Sequence, residues 1–442
     1  MTTQDDINTI DKDILRLALP TLGALLIEPV LVATDTIMVG HLGTDSLAGL
    51  SLSSTILSTI VGLCIFLAYA TTASTARFMG AGKIGRALRY GVDGIWLALL
   101  LGVILGALLA IFSPSILGLF GAEGNVITQG NHYVRFSSFG LPGMLLVLAA
   151  TGTLRGLGDT RTPFHASLLT AVLNIPLNYI FIYPSHMGVA GAALGTAIAQ
   201  TVGGLFLTAH IIRRCRVEKV SLTPRGAGVL GALNNAIPLM MRTVILRVII
   251  LMEIAVATKL GTQALAANQV VMSIWTFAIY GLDALAMAAQ ILVGQASGSG
   301  HKDRVRLVLS RCLRRGLWIG ALVGTALICS SPFIPMLMTS DSQVRWAAML
   351  GLFMVSFFMP LISVAFILDG VLMGADDMKA LAFLMLIPLL AFAPVAGSLY
   401  MWGKGADGFM WLWGGYAGVC MGARALATYL RVRTDAWITL GT

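Results

Sequence analysis

Gly152-Thr-Leu-Arg-Gly-Leu-Gly-Asp159 and Gly370-Val-Leu-Met-Gly-Ala-Asp-Asp377 share two glycines and a closing aspartate at one spacing, and 218 residues separate each matched pair. The same offset joins Pro20 to Pro238, Leu42-Gly-Thr44 to Leu260-Gly-Thr262 and Leu47-Ala48 to Leu265-Ala266. It also joins Gly80 and Gly82 to Gly298 and Gly300, Arg86 to Arg304, Ser113-Pro114 to Ser331-Pro332, and Pro142 to Pro360. Shared apolar composition does not hold register across loops, so the chain is an internal duplication.

What is duplicated follows from composition. The 442 residues are 57% hydrophobic and only 11% charged, with a mean hydropathy of +0.86. Soluble domains average roughly 45–50% apolar and about 25% charged. A chain with so little polar surface is excluded from being a soluble enzyme, a disordered protein, a collagen-like fibre or a coiled coil. It is an integral membrane protein. Its polar, acidic start lacks the basic-then-apolar order of a cleaved signal peptide, so the first apolar run is expected to be retained as a helix. The five cysteines are scattered without disulfide or zinc spacing.

A helix needs about 20 mainly apolar residues to cross the hydrocarbon core. Such runs lie at 14–40, 46–76, 92–120, 130–154, 162–183 and 188–212, and again at 229–258, 264–296, 307–331, 345–372, 378–400 and 406–430. The expected fold is therefore all-α and polytopic, with twelve transmembrane helices in two six-helix lobes. Residues 1–212 form the first lobe, 213–228 a basic cytoplasmic linker, and 229–442 the second lobe. Six spans per repeat make the repeats parallel, related by an axis along the membrane normal, as in many secondary transporters. Lys and Arg crowd the N-terminus, the loops after even-numbered spans and the C-terminus, including Arg424. The opposite side holds only Arg135, Lys259, Arg345 and Lys404. By the positive-inside rule both termini are expected to be cytoplasmic, in a cell (plasma or inner) membrane. The net charge of +9 then reflects topology and needs no nucleic-acid partner.

Intramembrane charge is costly and points to function. Apart from acids at the very start of a span, five fall within spans: Glu28, Asp35, Glu253, Asp283 and Asp369. Asp35 and Glu253 are one repeat apart, so each lobe carries an acid at an equivalent depth. Glu28 shares a helical stripe with Asp35, and Pro29 between them can kink that helix. In Asn174-Ile-Pro-Leu-Asn178 the two amides share a face, with Pro176 between them; they read either as a polar cluster meeting Asp35 or as interhelical hydrogen bonding. Arg242 reads as lying near the cytoplasmic end, while the deeper Arg247 is expected to pair with a second-lobe acid. Histidine and cysteine spacing suggests no metal site, and no GxxxxGK[ST] motor motif occurs.

Pro20, the stretch Ala33-Thr-Asp35-Thr-Ile-Met-Val-Gly-His-Leu-Gly43, the six-plus-six duplication and Asn174-Ile-Pro-Leu-Asn178-Tyr resemble the multidrug and toxic compound extrusion (MATE) family over nearly the whole chain. Tyr280-Gly-Leu-Asp283, Leu292-Val-Gly-Gln295 and Leu368-Asp-Gly-Val-Leu-Met-Gly374 resemble its DinF-like branch. The resemblance implies export of organic, often cationic or amphipathic compounds in exchange for H⁺ or Na⁺, with no further cofactor and no catalytic residue. It implies that Asp35 couples protons, and that Glu253 and Asp369 can hold Na⁺, with Asp283 a further acid. Asn178 stands where DinF-like members often carry Asp. A monomer in the lipid bilayer is the expected working unit. Two other readings stand beside this one: a flippase for lipid-linked precursors, which needs cavity Arg or Lys, and a membrane-embedded enzyme, for which DDxxD and HExxH motifs are missing.

Overall fold

The computed structural model describes residues 4–119 and 124–441. The terminal residues 1–3 and 442, to which the expected cytoplasmic termini belong, lie outside them. Every regular element among the described residues is helical. In the first repeat these are α1 (Gln4–Gly40), α2 (Thr44–Leu63), α3 (Phe66–Gly80), α4 (Ile84–Leu119), α5 (Gly124–Gly156), α6 (Arg161–Ile182) and α7 (Val189–Val217). In the second they are α8 (Gly226–Lys259), α9 (Thr262–Gly298), α10 (Lys302–Ser330), α11 (Ile334–Met338) and α12 (Ser342–Gly374). There follow α13 (Met378–Leu384), α14 (Leu386–Trp402), α15 (Gly405–Gly414), a π-helical turn Gly415–Cys420 and α16 (Met421–Arg433).

The duplication read from sequence reappears in these boundaries. The limits of α5 shifted by 218 are those of α12, and the start of α2 and end of α3 map onto the two ends of α9. Departures from the repeat have local causes. α10 ends at Ser330, two residues before Pro332, whereas α4 runs on through the equivalent Pro114. The α13–α14 break falls at Met385, where Pro388 deprives the Leu384 carbonyl of its helical donor. Between α2 and α3 the amide of Ile65 turns back to the Gly62 carbonyl at 3.3 Å, tightening the turn. α1 runs unbroken through Pro20 and Pro29, as α6 does through Pro176.

Among the described residues, ten segments are long and apolar enough to cross a membrane. Two of the twelve expected spans fall outside that set. The side chains of 226–236, the first part of α8, lie outside the described residues, and the last span is divided by the π-helical turn. The helices turn large apolar side chains outward, as Val103 and Ile111 of α4 do at 60% and 68% exposure. Hydrocarbon is their solvent, so helix association comes from close packing of small residues and from polar contacts.

That packing also repeats. A Cβ at Gly152 of α5 would lie 2.4 Å from the Ala68 carbonyl of α3, and one at Gly370 of α12 would lie 2.1 Å from the Ala286 carbonyl of α9. Ala68 and Ala286 are themselves 218 apart. These glycines let two backbones touch, which explains why they survive in both repeats. The paired aspartates that close the two motifs do equivalent work: Asp159 binds Arg214 at 2.7 Å, and Asp377 binds Arg431 at 2.8 Å.

The chain divides into two compact units. One comprises Leu19–Ile237; the other comprises Pro238–Gly441 together with the segment up to Ala18. Both divisions fall beside the repeat-equivalent prolines Pro20 and Pro238. The stretch read as a linker, 213–228, is non-helical only from Glu218 to Arg225; its residues 226–228 begin α8, and their side chains lie outside the described set. Within the first unit this loop is fastened to α4, where Arg89 donates to the Ser221 and Thr223 carbonyls at 2.5 Å each and Trp96 Nε1 to the Leu222 carbonyl at 2.9 Å.

Candidate functional site

In the first unit, three helices bring four polar side chains together. Asp35 lies on α1, Asn174 and Asn178 lie one turn apart on α6, and Thr196 lies on α7. Asn178 Nδ2 donates to Asp35 Oδ1 at 2.6 Å and approaches Asn174 Oδ1 at 3.4 Å. Thr196 Oγ1 donates to Asp35 Oδ2 at 3.3 Å and accepts from Asn174 Nδ2 at 2.9 Å. Both asparagines are buried, while Asp35 is half-buried. Glycine at 195 makes the approach of α7 possible, since a Cβ there would lie 2.0 Å from Asn178 Oδ1. The Tyr183 hydroxyl, just past the end of α6, adds a further tie to α1 by donating to the Met38 carbonyl at 2.9 Å.

This arrangement has one carboxylate and one buried acceptor, Asn178 Oδ1, that meets no donor among the described residues. Such oxygens suit a proton or a hard monovalent cation, and neutral amides around a carboxylate leave its charge free to be answered by either. Of the residues singled out from sequence, Asp35, Asn174 and Asn178 meet here. Glu28 does not: it is exposed on its unit and hydrogen-bonds to none of the four.

The second unit builds a different environment around the equivalent acid. Glu253 of α8 is buried at 1% exposure; its Oε2 accepts from Asn268 Nδ2 at 3.3 Å, and its Oε1 has no partner among the described residues. Asn268 in turn accepts from Trp413 Nε1 at 3.0 Å. At the 218-residue offset, Phe392, Ala396 and Gly414 replace Asn174, Asn178 and Thr196. The polar wall of the first unit has become an aromatic one, with Trp275, Trp413, Phe392 and Tyr416 in contact and Tyr416 at 5.4–5.9 Å from the other three rings.

Asp369 stands in neither arrangement. Its carboxylate is held by two guanidiniums, Arg242 at 2.6 Å and Arg424 at 2.5 Å, and Arg424 stacks over the Phe366 ring at 4.7 Å. This corrects three expectations. The two guanidiniums leave this cluster with a net positive charge, which disfavours Na⁺ at Asp369 and stands against the sodium pair expected of Glu253 with Asp369. The pairing expected of Arg247 is made by Arg242 instead, and Arg247 is exposed. Arg424, counted with the cytoplasmic tail, is 3% exposed. Asp283 is half-buried on α9.

Thr196, Asn268, Trp413 and Arg424 were missed from sequence. A signal existed for two of them. Arg424 lies inside the apolar run 406–430, where a charge stands out, and Thr196 is a polar residue whose counterpart at the 218 offset, Gly414, is not. Asn268 and Trp413 look like ordinary span residues, and only helix rotation selects them.

The MatE family model matches this chain twice, over residues 20–180 and 238–396. Protein DETOXIFICATION 43 of Arabidopsis thaliana is 30% identical over 346 residues, spanning 76% of this chain and 64% of that protein, a little under two thirds of its length. The probable multidrug resistance protein NorM of Thermotoga maritima is 25% identical across 85% of this chain and 82% of its own. DNA damage-inducible protein F of Escherichia coli is 28% identical across 87% and 84%. Among solved structures, the Vibrio cholerae MATE transporter VcmN superposes with a TM-score of 0.89 at 22% identity, covering 98% of this chain and all of that one. A MOP superfamily transporter from Pyrococcus furiosus gives 0.86 at 21%, covering 99% of each. At such identity the structural likeness speaks for the fold.

Proposed function

The chain belongs to the MatE family of multidrug and toxic compound extrusion transporters, and on that premise we propose that it exports organic cations and amphipathic drugs in exchange for H⁺ or Na⁺. The observation that carries this reading is the Asp35 cluster. An exchanger needs a group that ion and substrate influence in turn, and a carboxylate lined by neutral amides supplies one. Ion binding to Asp35 removes the negative charge that attracts a cationic compound, and ion release restores it. Glu253, with one oxygen unpaired beside an aromatic wall, is the second candidate group, suited to a cation with apolar bulk. No cofactor and no catalytic step enters this scheme. The protein works as a monomer in a cell membrane, moving its substrate by alternating access.

The test is transport in proteoliposomes with an imposed H⁺ or Na⁺ gradient and a fluorescent organic cation. Accumulation that follows one gradient and collapses with an ionophore for that ion identifies the coupling ion. Transport of a lipid-linked pyrophosphate without any cation transport would replace this reading by the flippase.

Orientation is part of the proposal, with both termini cytoplasmic. A cysteine introduced at Gly124 or Ser185 in intact cells is expected to react with an impermeant thiol reagent, and one at Gly82 or Lys219 is not. Reversed labelling would invert the topology.

A further inference from the structure

The two repeats differ sharply at one place outside the site above. On α4 the face formed by Asp93, Trp96 and Leu97 lies beside the fastened loop 218–225, whose carbonyls occupy Arg89 and Trp96. At the 218-residue offset α10 carries Arg311, Arg314 and Arg315 in place of those three. The equivalent cover is the start of α1, which belongs to the same unit. It leaves a cavity of about 420 Å³ lined by Ile7, Asn8, Asp11, the three arginines and Trp318.

Among the described residues, Asp11 is the single acid lining that cavity. Arg311 grips it with two donors, Nε at 3.0 Å and Nη2, and Arg315 Nη2 adds a third bond at 2.5 Å. Asp11 therefore orients two guanidiniums without consuming all their donors, since each has five N–H groups. Arg314 has no acceptor among the described residues. The other cations near the start of α10 are differently placed: Lys302 and Arg306 are taken by Asp435. Three cations and one anion among the described lining residues leave two surplus positive charges. A planar fork of this kind matches phosphate oxygens, two at a time.

The surroundings choose the phosphate's source. One turn further along α10 the surface becomes apolar, with Trp318 at 68% and Leu322 at 70% exposure on one face. An exposed indole below a cluster of arginines marks the boundary between headgroups and hydrocarbon. We propose that Arg311, Arg314 and Arg315, ordered by Asp11, bind the phosphodiester of an anionic membrane phospholipid whose acyl chain lies along Trp318 and Leu322.

Native mass spectrometry of the full chain in detergent tests this, with phosphatidylglycerol, phosphatidylcholine and inorganic phosphate as separate probes. The wild type is expected to retain phosphatidylglycerol at least tenfold more tightly than phosphatidylcholine. Arg314→Gln is expected to lose that preference and keep its melting temperature, because Arg314 holds no structural partner. Arg314→Lys is expected to fall between them, keeping charge without the fork. Arg304→Gln, on the same helix outside the cavity, is expected to bind as the wild type. Equal retention of the two lipids, or a preference that survives Arg314→Gln, overturns the site. Displacement of phosphatidylglycerol by millimolar inorganic phosphate overturns the lipid as its ligand.

Discussion

Asp35→Asn is expected to reduce gradient-driven export to the level of protein-free liposomes while leaving the protein folded. The substitution keeps size and shape, and the Asn178 amide can still donate to the remaining side-chain oxygen. Thr196 must turn its hydroxyl to accept instead of donate. What is lost is the charge. A charge-assisted interaction contributes about 1.5–3 kcal/mol net, and a tenfold change corresponds to roughly 1.4 kcal/mol. Affinity for the coupling ion should therefore fall by a factor of about 10 to 150, and exchange should lose its driving step. Melting temperature should change little, because a half-buried carboxylate with neutral partners is not what holds α1 against α6. Thr196→Val is a graded companion: it deletes the 3.3 Å bond to Oδ2 and should weaken coupling without abolishing it. Normal transport by Asp35→Asn together with inactive Glu253→Gln would move coupling to the second unit.

Asp369→Asn is expected to damage stability more than any substitution at Asp35. Removing one partner of a buried ion pair costs about 3–5 kcal/mol, because the remaining charge is stranded. Here two guanidiniums would be stranded at once, Arg242 at 9% and Arg424 at 3% exposure. For a unit of this size each kcal/mol shifts melting by roughly 2–4 °C, so a drop on the order of 10 °C should appear in detergent-solubilised protein. Arg424→Met leaves the one-to-one pair of Arg242 with Asp369 and should cost less. Replacing all three members by apolar residues of similar volume should recover part of the loss, as it does where desolvation outweighs attraction. If instead Asp369→Asn melts like the wild type and loses only sodium-dependent transport, the carboxylate is an ion ligand and the closed cluster is not its working state.

The repeat and the span positions were legible because both are local properties. A 20-residue apolar run declares itself wherever it lies, and a 218-residue offset survives in glycines such as Gly152 and Gly370 because backbone contact at those points tolerates no Cβ. The importance of Asp35 was legible for the same reason, as a charge in an apolar run. Its neighbour Glu28 looked equally significant, being on the same stripe, yet it stays outside the cluster, exposed on its unit and bonded to none of its members.

Sequence alone determined that this chain is a duplicated bundle of membrane helices with acids at matched depth in both halves. Only the tertiary structure decided which side chains those acids meet. Arg242 and Arg247 show why: five residues on a helix differ by about 140° of rotation, so one turns inward to Asp369 while the other remains exposed, and no local pattern says which. Asp35 finds Thr196 from 161 residues away and Asp369 finds Arg242 from 127. Such partnerships depend on how closely two helices approach and how each is rotated, which glycines like Gly195 permit without announcing what will fill the space they leave.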